Sequence, residues 1–224
     1  MPAGQVEMEF KKTVSKELNC GYLLFLPEGY GQEKQLWPLI MFLHGLGECG
    51  DDLDLIKVYG PPLIAEQKKD FPFIAVSPQC PDGSWWPDEV DMLKGLLDDV
   101  EEKYDVDSER VYLTGLSMGG YGAWRLAREC PERFAAVAPI CGGDIAFLAE
   151  RIKDVPVWAF HGGEDDIVPV ERSQQMVDAV NAAGGNAKLT IYPGCSHDSW
   201  TQTYENEELY EWFLGHRNTR RKNK

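Results

Sequence analysis

A serine held between glycines, Gly115-Leu116-Ser117-Met118-Gly119-Gly120, constrains this chain more than any other stretch. An apolar, β-favouring run (Val111, Tyr112, Leu113) comes before it, and a helix-like run from Tyr121 to Cys130 follows. That is strand, sharp turn and helix, with the serine at the apex, in the pattern G-x-S-x-G. A serine lifted off the end of a strand sits in strained backbone with chain packed close on both sides. Glycine two residues before and two after removes the clash. The helix aims its first N–H groups at the point where negative charge develops on a substrate. The same residues also read as a plain strand-to-helix turn with a capping serine, so the rest of the chain has to decide.

From the N-terminus, Val6, Met8 and Phe10 alternate with polar residues, as a half-exposed edge strand would. Cys20 to Leu26 reads as a second strand, and the two together as an antiparallel start to a sheet. Pro38 to Leu43 (PLIMFL) is continuous and apolar, as in a central strand buried on both faces. The glycine-rich loop His44-Gly45-Leu46-Gly47-Glu48-Cys49-Gly50-Asp51-Asp52 follows directly. It lacks the Gly-Lys-Ser/Thr ending of a phosphate loop. Its glycines let backbone approach a ligand, and a backbone N–H here, that of Leu46, pairs with that of Met118 as an oxyanion donor. His44 reads as a structural residue that orders this loop by hydrogen bonding rather than as a catalytic base.

Pro72 to Ser77 is the next strand, and the loop after it carries adjacent tryptophans, Trp85 and Trp86. Loops at the carboxyl ends of parallel strands surround the ligand crevice of open α/β sheets. Trp85, Trp86 and, further on, Trp200 are therefore candidate walls of a substrate pocket. Core caps beneath the loop are the alternative for Trp85 and Trp86. Asp88 to Tyr104 is a helix by the spacing of Val90, Leu93, Leu96, Leu97, Val100 and Tyr104. Ala135 to Ile140 and Val155 to Phe160 are buried strands. Cys141-Gly142-Gly143 is the exit loop of the first, and only Asp144 to Asp154 separates that exit from the second, which leaves little room for a lid. The second ends in His161-Gly162-Gly163-Glu164-Asp165-Asp166-Ile167-Val168-Pro169. Val170 to Ala183 is an amphipathic helix, Ala187 to Tyr192 the last strand, and the loop after it holds His197. Leu209, Trp212 and Phe213 belong to a C-terminal helix.

Composition narrows the partners. With 22 Lys+Arg against 37 Asp+Glu the net charge is −15, which argues against nucleic acid and anionic membranes as partners. No apolar run approaches the ~20 residues that span a bilayer. The N-terminus lacks the plan of a signal peptide, so the chain reads as cytoplasmic. The six cysteines are scattered and read as free thiols, with a Cys49–Cys80 bridge as the alternative. No His/Cys spacing resembles a zinc site, and the chemistry calls for neither metal nor cofactor. Residues 1–216 read as one domain and 217–224 as a solvated basic tail.

The order serine, acid after one strand, histidine after the next belongs to the α/β-hydrolase arrangement: a mostly parallel sheet with helices on both faces, here with a minimal lid or none. The roles follow from need. A serine hydroxyl is a weak nucleophile near neutral pH, so His197 takes its proton and later gives it to the leaving group. Asp165 fixes the imidazole tautomer. Spacing alone does not separate Asp165 from its neighbour Asp166.

His44-Gly45-Leu46-Gly47, Gly115 to Gly120, His161 to Pro169 and Cys195-Ser196-His197 resemble the phospholipase/carboxylesterase family of α/β-hydrolases, which includes acyl-protein thioesterases. Glu48 to Asp52 and Ser77-Pro78-Gln79-Cys80-Pro81 with Trp85 look more like its bacterial "predicted peptidase" branch, related to feruloyl and polyhydroxybutyrate esterases. The resemblance covers nearly the whole chain after Gly21. It implies a serine nucleophile, unlike the similar dienelactone hydrolases with cysteine there, and alignment on Val168-Pro169 puts the acid at Asp165. The expected activity is hydrolysis of a small-molecule ester with short acyl or aryl groups. A serine peptidase, an acyl-protein thioesterase and a catalytically dead binding module are the alternatives.

Overall fold

Along each central strand the apolar side chains alternate between two buried layers, so a continuous apolar run hides a period of two. In β2 (Trp37–Leu43), Leu39, Met41 and Leu43 enter one layer, Ile40 and Phe42 the other. The computed structural model, which describes residues 5–32 and 34–221, repeats this in every interior strand. β3 is Ile74–Pro78, β4 Val106–Leu116, β5 Ala136–Ile140 and β6 Val157–Gly162. With β1 (Tyr22–Phe25) and β7 (Ala187–Tyr192) they form a seven-stranded sheet in the order β1-β3-β2-β4-β5-β6-β7. Every pairing is parallel except β1 with β3.

Among the described residues six α-helices cover the two faces. α2 (Val90–Lys103), α3 (Met118–Glu129) and α4 (Glu171–Ala182) pack on one layer, through Leu93, Leu97, Trp124, Met176 and Val180. α1 (Gly60–Gln67), α5 (Trp200–Glu205) and α6 (Glu207–Leu214) pack on the other, through Ala65, Tyr204, Leu209 and Phe213. Each large side chain buried this way contributes about 1.5–3 kcal/mol.

Two expectations are corrected. Val6, Met8 and Phe10 form no strand; they are exposed and without regular structure, and Phe10 is 87% accessible. The antiparallel partner of β1 is instead β3, from Tyr22↔Pro78 to Phe25↔Ala75. The basic tail is not simply solvated either. Asn218 is buried and donates to the carbonyls of Glu132 and Phe134. Arg217 pairs with Asp107 and Glu109, and Arg221 with Glu101. Residues 222–224 lie outside the described part.

The connection between β5 and β6 carries a single short 3₁₀ segment, Ala146–Ile152, whose Ala149 and Ile152 are core residues. It inserts no lid over the carboxyl ends of the strands.

Candidate active site

From β2 the chain passes to β3 on one side, while β4 lies on the other side of β2. The loops leaving β2 and β4 therefore diverge, and such a switch point opens a crevice at the carboxyl edge of a parallel sheet. Ser117 directly follows β4, and the His44 loop directly follows β2.

Ser117 has φ 51° and ψ −114°, a left-handed conformation that a side chain adopts only at a cost. The crowding around it explains its neighbours. A Cβ on Gly115 would lie 2.3 Å from the Gly119 carbonyl oxygen, and one on Gly119 would lie 1.9 Å from that of Leu43. The Ser117 N–H donates to the Ile140 carbonyl at 3.0 Å, which ties the turn to β5 as well.

Ser117 Oγ lies 2.9 Å from His197 Nε2, and His197 Nδ1 lies 2.8 Å from Asp165 Oδ2. Burial alone would raise the Asp165 carboxyl. The His197 bond and the N–H groups of Val168 and Ile167, which donate to Oδ1 at 2.8 and 2.9 Å, outweigh it and hold the group below its ordinary value. An ionised Asp165 only accepts, so Nδ1 carries a proton. In the neutral ring Nε2 then presents a lone pair, and the serine hydroxyl donates to it. Asp166 is exposed.

His161, given no role above, is fully buried beneath this pair. Its Nε2–H donates to the Val168 carbonyl at 2.8 Å and lies 3.3 Å from Asp165 Oδ2; its Nδ1 meets Ser173 Oγ at 2.7 Å. Burial lowers its pKa, so the ring is a neutral brace that holds the acid turn against α4. The only sequence sign of it is a histidine ending an apolar strand. Cys141 is the second residue that sequence reasoning passed over. It is buried, has φ 40° and follows β5 directly. Among the described residues, Cys141, Asp165 and His197 form one group that could hold a metal ion, with candidate ligand atoms within 4.8 Å of one another. A cation there would have to break the Asp165–His197 pair and deprotonate a thiol that burial pushes up to about 12.

On the opposite wall, His44 orders the loop as expected. The Cys80 N–H donates to His44 Nε2 at 2.9 Å, so Nδ1 carries the proton and donates to the Gly45 carbonyl at 2.6 Å. A trans peptide points its C=O and N–H in opposite directions. Holding the Gly45 carbonyl toward His44 thus turns the Leu46 N–H away from it. Leu46 opens a 3₁₀ turn (Leu46–Glu48) and Met118 opens α3, so neither N–H is spent inside its own helix.

The tryptophans divide. Trp85 is 36% exposed, with its ring 5.7 Å from that of Tyr121 in the first turn of α3. Trp86 is not a pocket wall: it is fully buried, donates Nε1–H to the His44 carbonyl and packs edge-on to the His44 ring. The backbone at Trp85 is extended (φ −139°, ψ 129°), which sends adjacent side chains to opposite sides. Trp200 stands edge-on to His197, with ring centroids 5.2 Å apart.

With this geometry in place, comparison with known proteins is direct. The profile of the dienelactone hydrolase family matches residues 3–208. The chain belongs to the dienelactone hydrolase family. Feruloyl esterase D of Neurospora crassa is 27% identical over 200 residues, 78% of this chain and 68% of that protein. Acyl-protein thioesterase 1 of Gibberella zeae is 24% identical over 110 residues, 46% of this chain and 47% of that protein. A solved structure described as a thermostable esterase matches with a TM-score of 0.77 and 34% identity, over 88% of this chain and 59% of that one. This member of the dienelactone hydrolase family has the α/β-hydrolase fold, and it spans less than two thirds of the thermostable esterase. The matched residues include Ser117, so serine in place of the cysteine expected of dienelactone hydrolases does not put a chain outside the family.

Proposed function

We propose that this protein is a serine carboxylesterase that hydrolyses short-acyl or aryl carboxylic esters through an acyl-serine intermediate. The observation that carries the reading is the hydrogen-bonded chain Ser117–His197–Asp165 at an uncovered sheet edge. Ser117 Oγ attacks the ester carbonyl while His197 Nε2 takes its proton. The developing oxyanion is held by the N–H groups of Leu46 and Met118, each worth about 10²–10³ in rate. His197 then gives its proton to the departing alcohol, and Asp165 stabilises the imidazolium between those events. Water, deprotonated by the same ring, releases the acid.

Exposed apolar side chains from the loops around the edge (Leu46, Trp85, Phe147 and Ile167) favour apolar or aromatic ester groups. The short β5–β6 connection favours small acyl chains over long ones. The catalytic unit is a single domain, against which Arg217, Asn218 and Arg221 of the basic tail dock. Six free thiols support a cytoplasmic site of action, and the net charge of −15 supports partners other than nucleic acid or anionic membranes. Among the described residues no helix is long and apolar enough to cross a membrane.

Hydrolysis of p-nitrophenyl esters from acetate to palmitate, with wild type and Ser117→Ala side by side, tests the reading. Turnover should peak at short chains and vanish in the variant, whose circular dichroism stays that of wild type. Folded wild type that turns over no ester would refute it.

A further inference from the structure

The loop that leaves β2 and the exit of β3 are bound together at four points. The Gly50 N–H donates to the Cys80 carbonyl at 3.0 Å. Gln79 Nε2 donates to the carbonyls of Glu48 and Asp52 at 2.9 and 2.8 Å, and Cys80 N–H donates to His44. At the centre of this seam two thiols are neighbours: the Cys49 and Cys80 side chains interact with each other. Cys49 is part-exposed and caps the turn that Leu46 opens, whereas Cys80 is fully buried. The Gly50–Cys80 hydrogen bond sets Cys49 and Cys80 side by side across the seam, and a disulfide forms where Cα atoms lie about 4.4–6.8 Å apart.

We propose that Cys49 and Cys80 are a dithiol site that closes to a disulfide when it meets a small-molecule disulfide such as oxidised glutathione. The accessible Cys49 sulfur, as thiolate, attacks one sulfur of the glutathione disulfide, and one glutathione thiolate leaves. Cys80, whose thiol burial pushes up to about 12, gives up its proton as it attacks Cys49 Sγ of the mixed disulfide and expels the second glutathione. Two protein thiols lose two electrons to the glutathione disulfide, and their two protons end on the two glutathione thiols. The bond fastens the far end of the Leu46 turn to the residue that holds His44. Its formation does not depend on the oxyanion role given to Leu46. It leaves Cys20, Cys130, Cys141 and Cys195 reduced.

The test uses the full chain, reduced, equilibrated in glutathione buffers of rising oxidised fraction and quenched with N-ethylmaleimide. Intact mass should fall by two hydrogens before quenching, and non-reducing peptide maps should join the Cys49 peptide to the Cys80 peptide. The oxidised form should melt about 5 °C or more above the reduced form, a difference abolished by dithiothreitol. Cys49→Ser, changed at the part-exposed partner so that the buried one stays native, should show neither the link nor the oxidation-dependent shift. Oxidised protein that carries only a glutathione adduct at Cys49, links another cysteine pair, or stays fully reduced in oxidised glutathione would overturn the proposal. None of these outcomes depends on ester turnover, so failure here and failure of the esterase reading are separately visible.

Discussion

Asp165 and Asp166 are neighbours with the same chemistry, and the turn they sit on treats them oppositely. Two backbone N–H groups and the His197 ring converge on the first; the second faces water. Asp165→Asn should lower kcat by about 10⁴-fold, because an amide at Oδ2 admits the wrong tautomer of His197. Asp166→Asn should stay within a few-fold of wild type; steady-state kinetics on one p-nitrophenyl ester measures both. Reversed sizes would move the acid by one residue. His44 carries a different prediction. Burial holds its pKa at about 4 against 6.5 for an ordinary histidine. Between those values the unfolded chain binds a proton that the folded chain refuses. Its contribution is therefore complete above 6.5 and is lost as pH falls toward 4, by about 3 kcal/mol in all. Glu48, whose carboxyl burial raises, acts in the opposite sense. Urea unfolding from pH 7 to 4 should show the fall in wild type and a flatter profile in His44→Gln.

The interior strands were legible through their apolar runs, although β4 begins at Val106, ahead of the apolar run at Val111, because Asp107 to Arg110 hide its first half. The serine, histidine and acid were legible because each lies in the loop or turn that leaves a strand. The first expected strand failed for a physical reason. Alternation tells which face a strand would bury, but a strand also needs a neighbour, and Val6 to Phe10 has none. The tryptophan pair left a choice open because pocket wall and core cap have the same composition. Only the extended backbone at Trp85 separates them. His161 and Cys141 stayed hidden because a buried brace and an ordinary core residue look alike in one sequence. At this scale the junction of β4 with α3 is the least tolerant element. A methyl on Gly119 would meet the backbone oxygens of Leu43 and His44 at 1.9 and 2.7 Å, and backbone cannot step aside as a side-chain end can. Gly119→Ala should cost about 4 kcal/mol or more, read as a lowered midpoint in thermal melts, with activity lost in the folded fraction.

Across the whole molecule the excess of acid is partly answered by the last residues of the chain. Composition made them a solvated tail, because a run of arginines on an acidic protein carries no sign of where it docks. In the fold, Arg221 grips both oxygens of Glu101 at 2.9 and 2.7 Å, and buried Asn218 closes off the carbonyls of Glu132 and Phe134. Removing residues 217–224 should lower the melting midpoint by about 5 °C at low salt. The difference should narrow as ionic strength rises, because the arginine pairs are partly exposed.

The distance along the chain between the proposed nucleophile and base has a consequence for biosynthesis. Ser117 and His197 are 80 residues apart, and His197 is followed at once by the two helices that complete the second face of the sheet. A chain made from its N-terminus has its serine turn in place long before its base exists. A ribosome-bound fragment that stops short of His197 therefore lacks the base of the proposed triad.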